Sequence, residues 1–195
     1  MRALVVYCHP VEGSLCSAMR DAAIHGLTSA GHQVDVVDLC AENFNPVMPA
    51  EEWQFYMAGE QVQNPVLRRY IELVQRSEIL VFVYPTWWSG LPAQLKGWLE
   101  RVLVVNVAFV FNEQNRVRPG LKQLRRIHVI STYGSPKLYV QIVNDNGRRI
   151  LSRALRFCGT WRTRTSHQGL YSLDTSTSES RQKFLSDIEK KTASL

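Results

Sequence analysis

Two short apolar runs limit what this chain can fold into. They read ALVVYC (residues 3–8) and ILVFVYP (residues 79–85), are rich in β-branched residues, and are each followed by turn residues and then by a helical pattern. Continuous apolar runs of this length are typical of strands that are buried on both faces of a parallel sheet. Because parallel strands need long crossover connections, we expect helices to follow these strands and to cover the sheet.

The rest of the chain repeats this alternation. Three further segments are predicted to be strands of the same sheet: HQVDVVDL (32–39), RRIHVISTY (125–133) and the more polar TRTSHQGLY (163–171). Helical patterns cover residues 15–29, 65–76, 92–104, 138–157 and 180–191. The alternation predicts an α/β fold, a doubly wound, five-stranded parallel sheet with right-handed crossovers, in a single domain over residues 1–195. We expect the long connection at residues 41–63 to be functional or to shield a neighbour.

The composition excludes several classes of protein. The chain has 195 residues, 45% of them apolar, which is enough for one core without disulfides or metals. Its four cysteines are scattered, with no C-x-x-C pair and no histidine cluster at metal-ligand spacing, so we expect no metal site and reduced thiols, as in the cytoplasm. No apolar run is long enough to cross a bilayer, so membrane insertion is not expected.

The charge is mildly basic, with a formal net charge of +6. Such a surface suits an anionic ligand or a nucleic acid. Much of the excess of basic over acidic residues lies in RRILSRALRFCGTWRTR (residues 148–164), where arginines fall between apolar residues at helical spacing. We interpret this segment as the solvated face of an amphipathic helix and expect no nucleic-acid partner.

The loop after the first predicted strand contains a candidate anion site. In open parallel sheets, ligands bind outside the carboxyl ends of the strands. The loop reads HPVEGSLCSA and places Ser14 at the expected N-cap of a helix, where free N–H groups bind a phosphate, although an ordinary cap has the same sequence. The chain has no G-x-x-x-x-G-K-[ST] motif and no G-x-G-x-x-G motif after a strand, so neither a P-loop nor a Rossmann site is supported.

Two more loops complete the predicted site. YPTWWSGLPAQLKGW puts Trp87 and Trp88 between a proline and a Ser-Gly turn, and STYGSP follows the fourth strand. Adjacent tryptophans are unusual in a plain connector, because each has a large apolar ring to cover. A flat, partly polar ring with a phosphate tail suits such a cleft, which points to FMN, with the tryptophans against the ring and the backbone of residues 86–90 at its edge.

These motifs resemble a known family. HPxxxSLCxA, YPTWWSGLPAQLKGWLERV followed by AFVF, and STYGSP are similar to the flavodoxin-like NAD(P)H:quinone oxidoreductases, whose relatives include azoreductases and modulators of drug activity. The resemblance extends over about residues 1–173. It implies non-covalent FMN, with FAD possible, NAD(P)H as co-substrate, a homodimer, and two-electron reduction of a quinone-like small acceptor in a ping-pong cycle.

The resemblance also implies site residues by position. The implied phosphate contacts are His9, Ser14, Leu15 and Cys16. The implied ring contacts are Pro85, Thr86, Trp87, Trp88, Ser89, Thr132, Tyr133 and Gly134. Tyr139 matches the tyrosine that steadies the reduced flavin and is the candidate catalytic residue.

Two departures from the family pattern affect the expected cleft. Mammalian members have T-T-G-G where this chain has Ser131-Thr132-Tyr133-Gly134. Tyr133 thus places a ring where those members have only backbone, and we expect this ring to narrow the cleft. The histidine that partners the family's tyrosine falls near Asn144-Asp145, and we expect Tyr139 to have no histidine nearby.

Alternative classes differ in how well the residues support them. A receiver domain shares this topology but needs an acidic cluster after the first strand, where this chain reads YCHP. A lone Cys16 at a helix start is interpreted as structural, because no histidine partner is evident. A flavin-binding regulatory subunit, for example of a potassium efflux system, or an electron carrier remains an alternative, although carriers tend to be acidic.

Overall fold

The main sheet contains five parallel strands in the order β2-β1-β3-β6-β7. The computed structural model describes residues 1–58 and 62–195. The strands are β1 (Arg2–Tyr7), β2 (Gln33–Asp38), β3 (Ile79–Pro85), β4 (Phe109–Phe111), β5 (Val117–Pro119), β6 (Arg126–Thr132) and β7 (Arg164–Leu170). The helices are α1 (Leu15–Ser29), α2 (Ala50–Ala58), α3 (Pro65–Arg76), α4 (Ala93–Val102), α5 (Lys137–Ile142), α6 (Asn146–Arg149) and α7 (Ser178–Ala193). This architecture confirms the predicted doubly wound α/β fold.

The central strands are buried on both faces, as their apolar runs predict. Every residue of β3 is buried, and successive residues of β1 and β3 contribute to two separate core clusters. Leu4 and Phe82 pack in one layer with Trp98 of α4, whereas Val5 and Val81 pack in the other layer beside α1 and α7. Each large apolar side chain buried in this way stabilises the fold by about 1.5–3 kcal/mol.

A close helix contact fixes α7 against α1. A Cβ atom on Gly26 of α1 would lie 2.2 Å from the Thr192 hydroxyl oxygen and 2.3 Å from the Glu189 carbonyl oxygen. Only glycine allows the two helices to approach this closely. The chain therefore ends with a helix that covers one face of the sheet.

Most predicted boundaries agree with the structure. The bounds of α1, α3 and β3 coincide with the predicted ranges 15–29, 65–76 and 79–85, and the other strands of the main sheet agree to within one residue at each end. No helix in the described ranges has both the length and the apolar character needed to span a membrane.

The single helix predicted over residues 138–157 is wrong. Asn144 (φ 78°) and Asp145 (φ 43°) adopt left-handed backbone conformations and separate α5 from α6. A π-helical turn and a 3₁₀ turn then continue to Cys158. The sequence Asn-Asp-Asn-Gly explains the break, because asparagine and aspartate tolerate left-handed geometry and favour turns.

The connection at residues 41–63 is not a single loop. It contains α2, which is held against α4 by the buried Arg101. The guanidinium donates to Glu52 from Nε at 2.8 Å and from Nη2 at 2.5 Å, and it also donates to the carbonyl of Asn45. Residues 59–61 of this connection lie outside the described residues.

A hairpin follows α4 that the sequence did not predict. β4 and β5 form a two-stranded antiparallel sheet apart from the main sheet. Phe109 and Phe111, both in β4, make an edge-to-face contact with ring centroids 6.1 Å apart. The apolar pattern VVNVAFVF therefore belongs partly to a surface hairpin.

Candidate functional site

Three loops meet where β1, β3 and β6 end. The N–H of Cys8, just after β1, donates to the carbonyl of Val83 in β3 at 3.1 Å. The N–H of Thr86, just after β3, donates to the carbonyl of Thr132 at the end of β6 at 2.8 Å. The loops that follow these strands therefore lie side by side at one edge of the sheet, as expected for a ligand site of a doubly wound fold.

The first loop leads into the N-terminus of α1. The hydroxyl oxygen of Ser14 accepts a hydrogen bond from the N–H of Ser17 at 3.2 Å, so Ser14 is the N-cap, as predicted. The N–H groups of Leu15 and Cys16 lie in the first turn, where a helix offers no carbonyl to accept them. Gly13 precedes the cap with φ +75° and faces open space. This arrangement suits an anion such as a phosphate.

Two side chains of this loop have distinct positions. The Nδ1 of His9 accepts from the N–H of Val11 at 3.1 Å, and its ring lies 6.2 Å from the ring of Trp87. The side chain of Cys16 is buried, with Sγ 3.9 Å from the hydroxyl of Thr132. Burial raises the pKa of the Cys16 thiol to about 11. Cys16 therefore faces a ligand through its backbone N–H only, which agrees with its structural interpretation.

A residue that sequence reasoning missed balances the charge of this loop. Arg20 of α1 lies 2.9 Å from Glu12, 2.8 Å from Asp21 and 3.5 Å from Asp38, with its guanidinium over the Tyr7 ring. The hydrogen bond from Arg20 lowers the pKa of Glu12. Arg20 thus compensates the charge of Glu12, a carboxylate in the loop that leads to Ser14. No local pattern in the sequence indicates this role, because it depends on carboxylates that meet Arg20 only in the fold.

The second loop is a strained two-residue turn. Trp87 and Gly90 exchange backbone hydrogen bonds at 3.3 and 3.0 Å, and Trp88 (φ 49°) and Ser89 (φ 57°) occupy the two central positions. This is the geometry of a type I′ turn, in which non-glycine residues cost about 1–2 kcal/mol each. Trp88 is fully exposed, and Trp87 is about half exposed. Strain and exposed aromatic surface together are typical of a binding site.

The third loop contains an aromatic residue, Tyr133, that is almost fully buried at the border of the cleft. Only 2% of Tyr133 is exposed, and its ring stacks on Tyr171 with centroids 4.6 Å apart. Tyr133 is among the residues that border the cleft, and the expectation that its ring narrows the cleft stays a prediction. The residue turns inward because buried partners satisfy its hydroxyl group. Residues that border the cleft include Thr86, Trp88, Ser89, Gly134, Ser135, Tyr139 and Asp145.

The inward hydroxyl of Tyr133 lies in a polar cluster that includes a histidine. It is 3.2 Å from each carboxylate oxygen of Asp145, 3.1 Å from Nε2 of His167 and 2.9 Å from the hydroxyl of Ser131. Burial raises the pKa of Tyr133 and lowers that of His167 to about 4. β7 brings His167 into a pocket that Asp145 also borders, and the expectation that Tyr139 has no histidine nearby stays a prediction. This histidine contacts Tyr133, whereas Tyr139 is half exposed at the cleft.

A separate cavity between α2 and α4 lies away from these loops. It is lined mainly by apolar residues between α2 and α4, including Met48, Phe55, Tyr56 and Val104. None of the predicted site residues lines this cavity, so it is not the candidate for the predicted chemistry.

Comparison with known proteins agrees with this geometry. A family model described as "Flavodoxin-like fold" matches residues 1–192. The chain belongs to this flavodoxin-like family. The predicted resemblance to flavodoxin-like quinone oxidoreductases is confirmed at this level, since the relatives of this flavodoxin-like chain include rat (Rattus norvegicus) NAD(P)H dehydrogenase [quinone] 1. The two are 32% identical over 180 residues, which cover 81% of this chain and 65% of the rat protein. The chain thus spans slightly less than two thirds of the rat relative.

Solved structures resemble the flavodoxin-like chain over its whole length. Smu.1420 from Streptococcus mutans UA159 is 27% identical, with a TM-score of 0.85 and complete coverage of both chains. An FMN-dependent NADH-azoreductase from Bacillus anthracis, solved in complex with FMN, is 14% identical, with a TM-score of 0.79 over 99% of this chain and 98% of that chain. At this identity the azoreductase shows the fold alone.

The predicted residues of the flavodoxin-like chain occupy one edge of the sheet. Those from the first loop are His9, Ser14, Leu15 and Cys16, and those from the later loops are Pro85, Thr86, Trp87, Trp88, Ser89, Thr132, Tyr133, Gly134 and Tyr139. Pro85, Cys16 and Thr132 have buried side chains and support the loops from below. The exposed members are the two tryptophans, Gly134 and Tyr139.

Proposed function

We propose that this chain is an FMN-dependent oxidoreductase that transfers two electrons from NAD(P)H to a quinone or a similar small acceptor. One observation supports this most directly: the capped N-terminus of α1 lies beside a strained turn with two exposed tryptophans. A phosphate site next to an aromatic surface suits a flavin mononucleotide. The names of the rat quinone dehydrogenase and the FMN-bound azoreductase support the same proposal.

The residues present fit FMN. The hydroxyl of Ser14 and the N–H groups of Leu15 and Cys16 would hold the phosphate, favoured by the dipole of α1. The N–H groups of Trp88 and Ser89 take no part in the two hydrogen bonds of their own turn, so they are available to the ring edge. A single helix start suits one phosphate, and we therefore propose FMN rather than FAD.

The chain's own residues orient the reactants and exclude water. When bound, FMN supplies the acceptor and donor of electrons. Trp87 and Trp88 would shield the ring from solvent, and the backbone of Gly134 and Ser135 borders the opposite side of the cleft. Tyr139 presents its hydroxyl at the same cleft, where it would donate a hydrogen bond to the acceptor. NAD(P)H and the acceptor would occupy this cleft in turn, which is a ping-pong cycle.

We further propose that the protein is a homodimer. Leu138, Tyr139 and Ile142 leave an apolar face of α5 exposed next to Trp88. A second copy would cover this face and complete the wall of the cleft. Sedimentation analysis tests the dimer, and a monomer at micromolar concentration would contradict it.

We also propose that the protein is located in the cytoplasm. All four cysteines are free thiols, which agrees with this location.

A flavin-binding regulatory or electron-carrier subunit is the second candidate. Phe157 and Trp161 are exposed near the amino end of β7, at the opposite edge of the sheet from the cleft, and the guanidinium of Arg162 lies over the Trp161 ring. A protein partner would suit this surface. Efficient multiple turnover by the purified chain alone would favour the enzyme over this candidate.

The experiment that tests the proposed function is spectroscopic. The purified protein is expected to be yellow or to become yellow with FMN, NAD(P)H is expected to bleach it, and a quinone is expected to restore the colour. Protein that remains colourless and cannot be reconstituted with FMN would contradict the proposal.

A further inference from the structure

A buried polar cluster lies directly behind the cleft and connects it to a second pocket. The second pocket is bordered by Lys137, Gln141, Asp145, Arg148, His167 and Tyr171. Asp145 borders both the cleft and the second pocket, and only 5% of its surface is exposed. A polar cluster in this position can serve more than the stability of the fold.

The proposed function requires a proton at this place. In the balanced reaction, NAD(P)H, one proton and a quinone give NAD(P)⁺ and a hydroquinone. NAD(P)H supplies a hydride, that is two electrons and one hydrogen nucleus, and the second hydroxyl hydrogen of the product must come from the protein or from solvent. A cleft that excludes water therefore needs a route for one proton per turnover.

The hydrogen bonds of the cluster form a continuous route. The Tyr133 hydroxyl lies 3.2 Å from Asp145 and 3.1 Å from His167 Nε2. The Ser131 hydroxyl bridges Tyr133 and His167, since it donates to the Tyr133 hydroxyl at 2.9 Å and lies 3.1 Å from His167 Nε2. The His167 ring meets the Tyr133 ring edge-on with centroids 6.1 Å apart. Gly169 permits this packing, since a Cβ atom there would lie 2.8 Å from the His167 ring and 2.9 Å from that of Tyr133.

We propose that His167, Tyr133 and Asp145 conduct protons from the second pocket to the cleft and thereby supply the proton that reduction of the acceptor consumes. This proposal rests on the proposed function. Tyr133 and Asp145 both border the cleft, and because the Tyr133 hydroxyl donates to Asp145, Tyr133 and His167 act through Asp145.

Each transfer in this route conserves protons. The Tyr133 hydroxyl, which donates to the Asp145 carboxylate, passes its proton to that carboxylate as the acceptor is reduced, and the Asp145 carboxyl gives this proton on to the reduced acceptor. His167 Nε2–H replaces the proton of Tyr133, and Nδ1 takes one from water in the second pocket. The ring is then neutral again with its proton on the other nitrogen, and rotation or exchange with water restores the first state. No oxidant or further reactant is needed.

The surrounding charges favour a neutral resting histidine. Arg148 pairs with Asp145 at 2.6 Å, and Lys137 of α5 and Arg148 of α6 both lower the pKa of His167, whereas Asp145 raises it. Burial has the largest effect and lowers this pKa to about 4. At neutral pH the ring therefore keeps one nitrogen with a lone pair and one with a hydrogen, as a relay requires.

The test compares two acceptors. A quinone takes protons together with electrons, whereas ferricyanide takes electrons alone. His167→Gln and Tyr133→Phe are expected to slow quinone reduction by about 10-fold or more, toward the lower end of the range for acid–base groups. Ferricyanide reduction is expected to be slowed less than quinone reduction, so the ratio of the two rates separates proton supply from effects on the fold and the cofactor. Ser166→Ala is the matched control, because this β7 neighbour bonds His128 instead of the cluster.

A second measurement does not depend on turnover. NMR titration of the His167 ring in protein without substrates is expected to show a lower midpoint in Asp145→Asn, because a negative charge that raises the pKa is lost, and no change in Ser166→Ala. Equal slowing of both acceptors, or an unchanged midpoint, would overturn the proton route and leave the proposed function standing. Wild-type protein that reduces neither acceptor would overturn the proposed function and the route with it.

Discussion

Trp88 is the single residue on which the proposed ring contact depends most. It is fully exposed in a left-handed backbone conformation, so its side chain contributes little to the core. We expect Trp88→Ala to weaken FMN binding by about 1–3 kcal/mol, the scale for losing a large aromatic contact, and to leave the melting temperature almost unchanged. Fluorescence titration with FMN and a thermal melt measure the two effects.

Trp161 provides the matched control for this change. Its exposed fraction is 82%, and it lies at the opposite edge of the sheet. Trp161→Ala is expected to bind FMN like the wild type. If Trp88→Ala unfolds the protein and binds no worse, Trp88 is structural and the ring lies elsewhere.

His128 predicts how stability depends on pH. It is fully buried in β6, with Nδ1 2.8 Å from Ser166 and Nε2 3.0 Å from Gln168, and burial lowers its pKa to about 4 from an ordinary value of 6.5. Between these two values the unfolded chain binds the extra proton and the folded protein does not. The free energy of unfolding therefore falls as the pH falls below 6.5, by about 2 kcal/mol at pH 5 from this residue.

Urea unfolding at pH 7 and pH 5 measures this difference. His128→Gln has no titrating ring, so its free energy of unfolding is expected to fall less between pH 7 and pH 5 than that of the wild type. This comparison does not depend on how stable the variant is at pH 7. His167 adds a loss of the same sign, because its pKa is lowered too. An equal loss in wild type and variant would show that His128 is already protonated or ionises freely in the folded state.

At the level of elements, a comparison of α1 with α7 separates the effect of helix capping on stability from the effect of phosphate binding on FMN affinity. Ser14 caps α1 and Thr177 caps α7, each accepting a backbone N–H at 3.2 and 3.1 Å. We expect Ser14→Ala and Thr177→Ala each to lower the free energy of unfolding by about 1 kcal/mol. Only Ser14→Ala is expected to weaken FMN binding, by about 1.5–3 kcal/mol for a hydrogen bond to a charged group.

Chemical denaturation and FMN titration of both variants test this pair. Equal FMN affinity in the two variants would place the phosphate away from α1. A loss of affinity in Thr177→Ala as large as that in Ser14→Ala would mean that affinity follows global stability, since Thr177 caps α7 and not the helix proposed to hold the phosphate.

The elements show what a sequence can predict and where it fails. Buried strands and capped helices were predicted well, because apolar runs and residues such as Ser14 and Pro65 act locally. The prediction of one continuous helix through Asn144 and Asp145 was wrong. The apolar periodicity continues across a turn that depends on the backbone geometry of these two residues. The hairpin β4–β5 was missed because its strands have only three residues each.

The whole molecule determines the parts of the site that no local pattern shows. The loops could be predicted, because parallel strands end at one edge. The direction of the Tyr133 ring and its contact with His167 could not, since β6 and β7 pair residues more than thirty positions apart in the sequence. Arg20 was missed for the same reason, because its role depends on how Glu12 and Asp38 meet in space.

The last prediction concerns turnover by the whole molecule. The three loops define one cleft, bordered by Trp88, Gly134 and Tyr139, and both substrates must approach the proposed ring from its open side. NAD(P)H and a quinone would then bind one after the other, and double-reciprocal plots at several quinone concentrations are expected to be parallel. Because the buried cluster and not Tyr139 is proposed to supply the proton, Tyr139→Phe is expected to slow quinone reduction by less than the 10²–10⁴-fold typical of a general acid. Intersecting lines would mean that both substrates bind together and that the cleft is wider than the loops indicate.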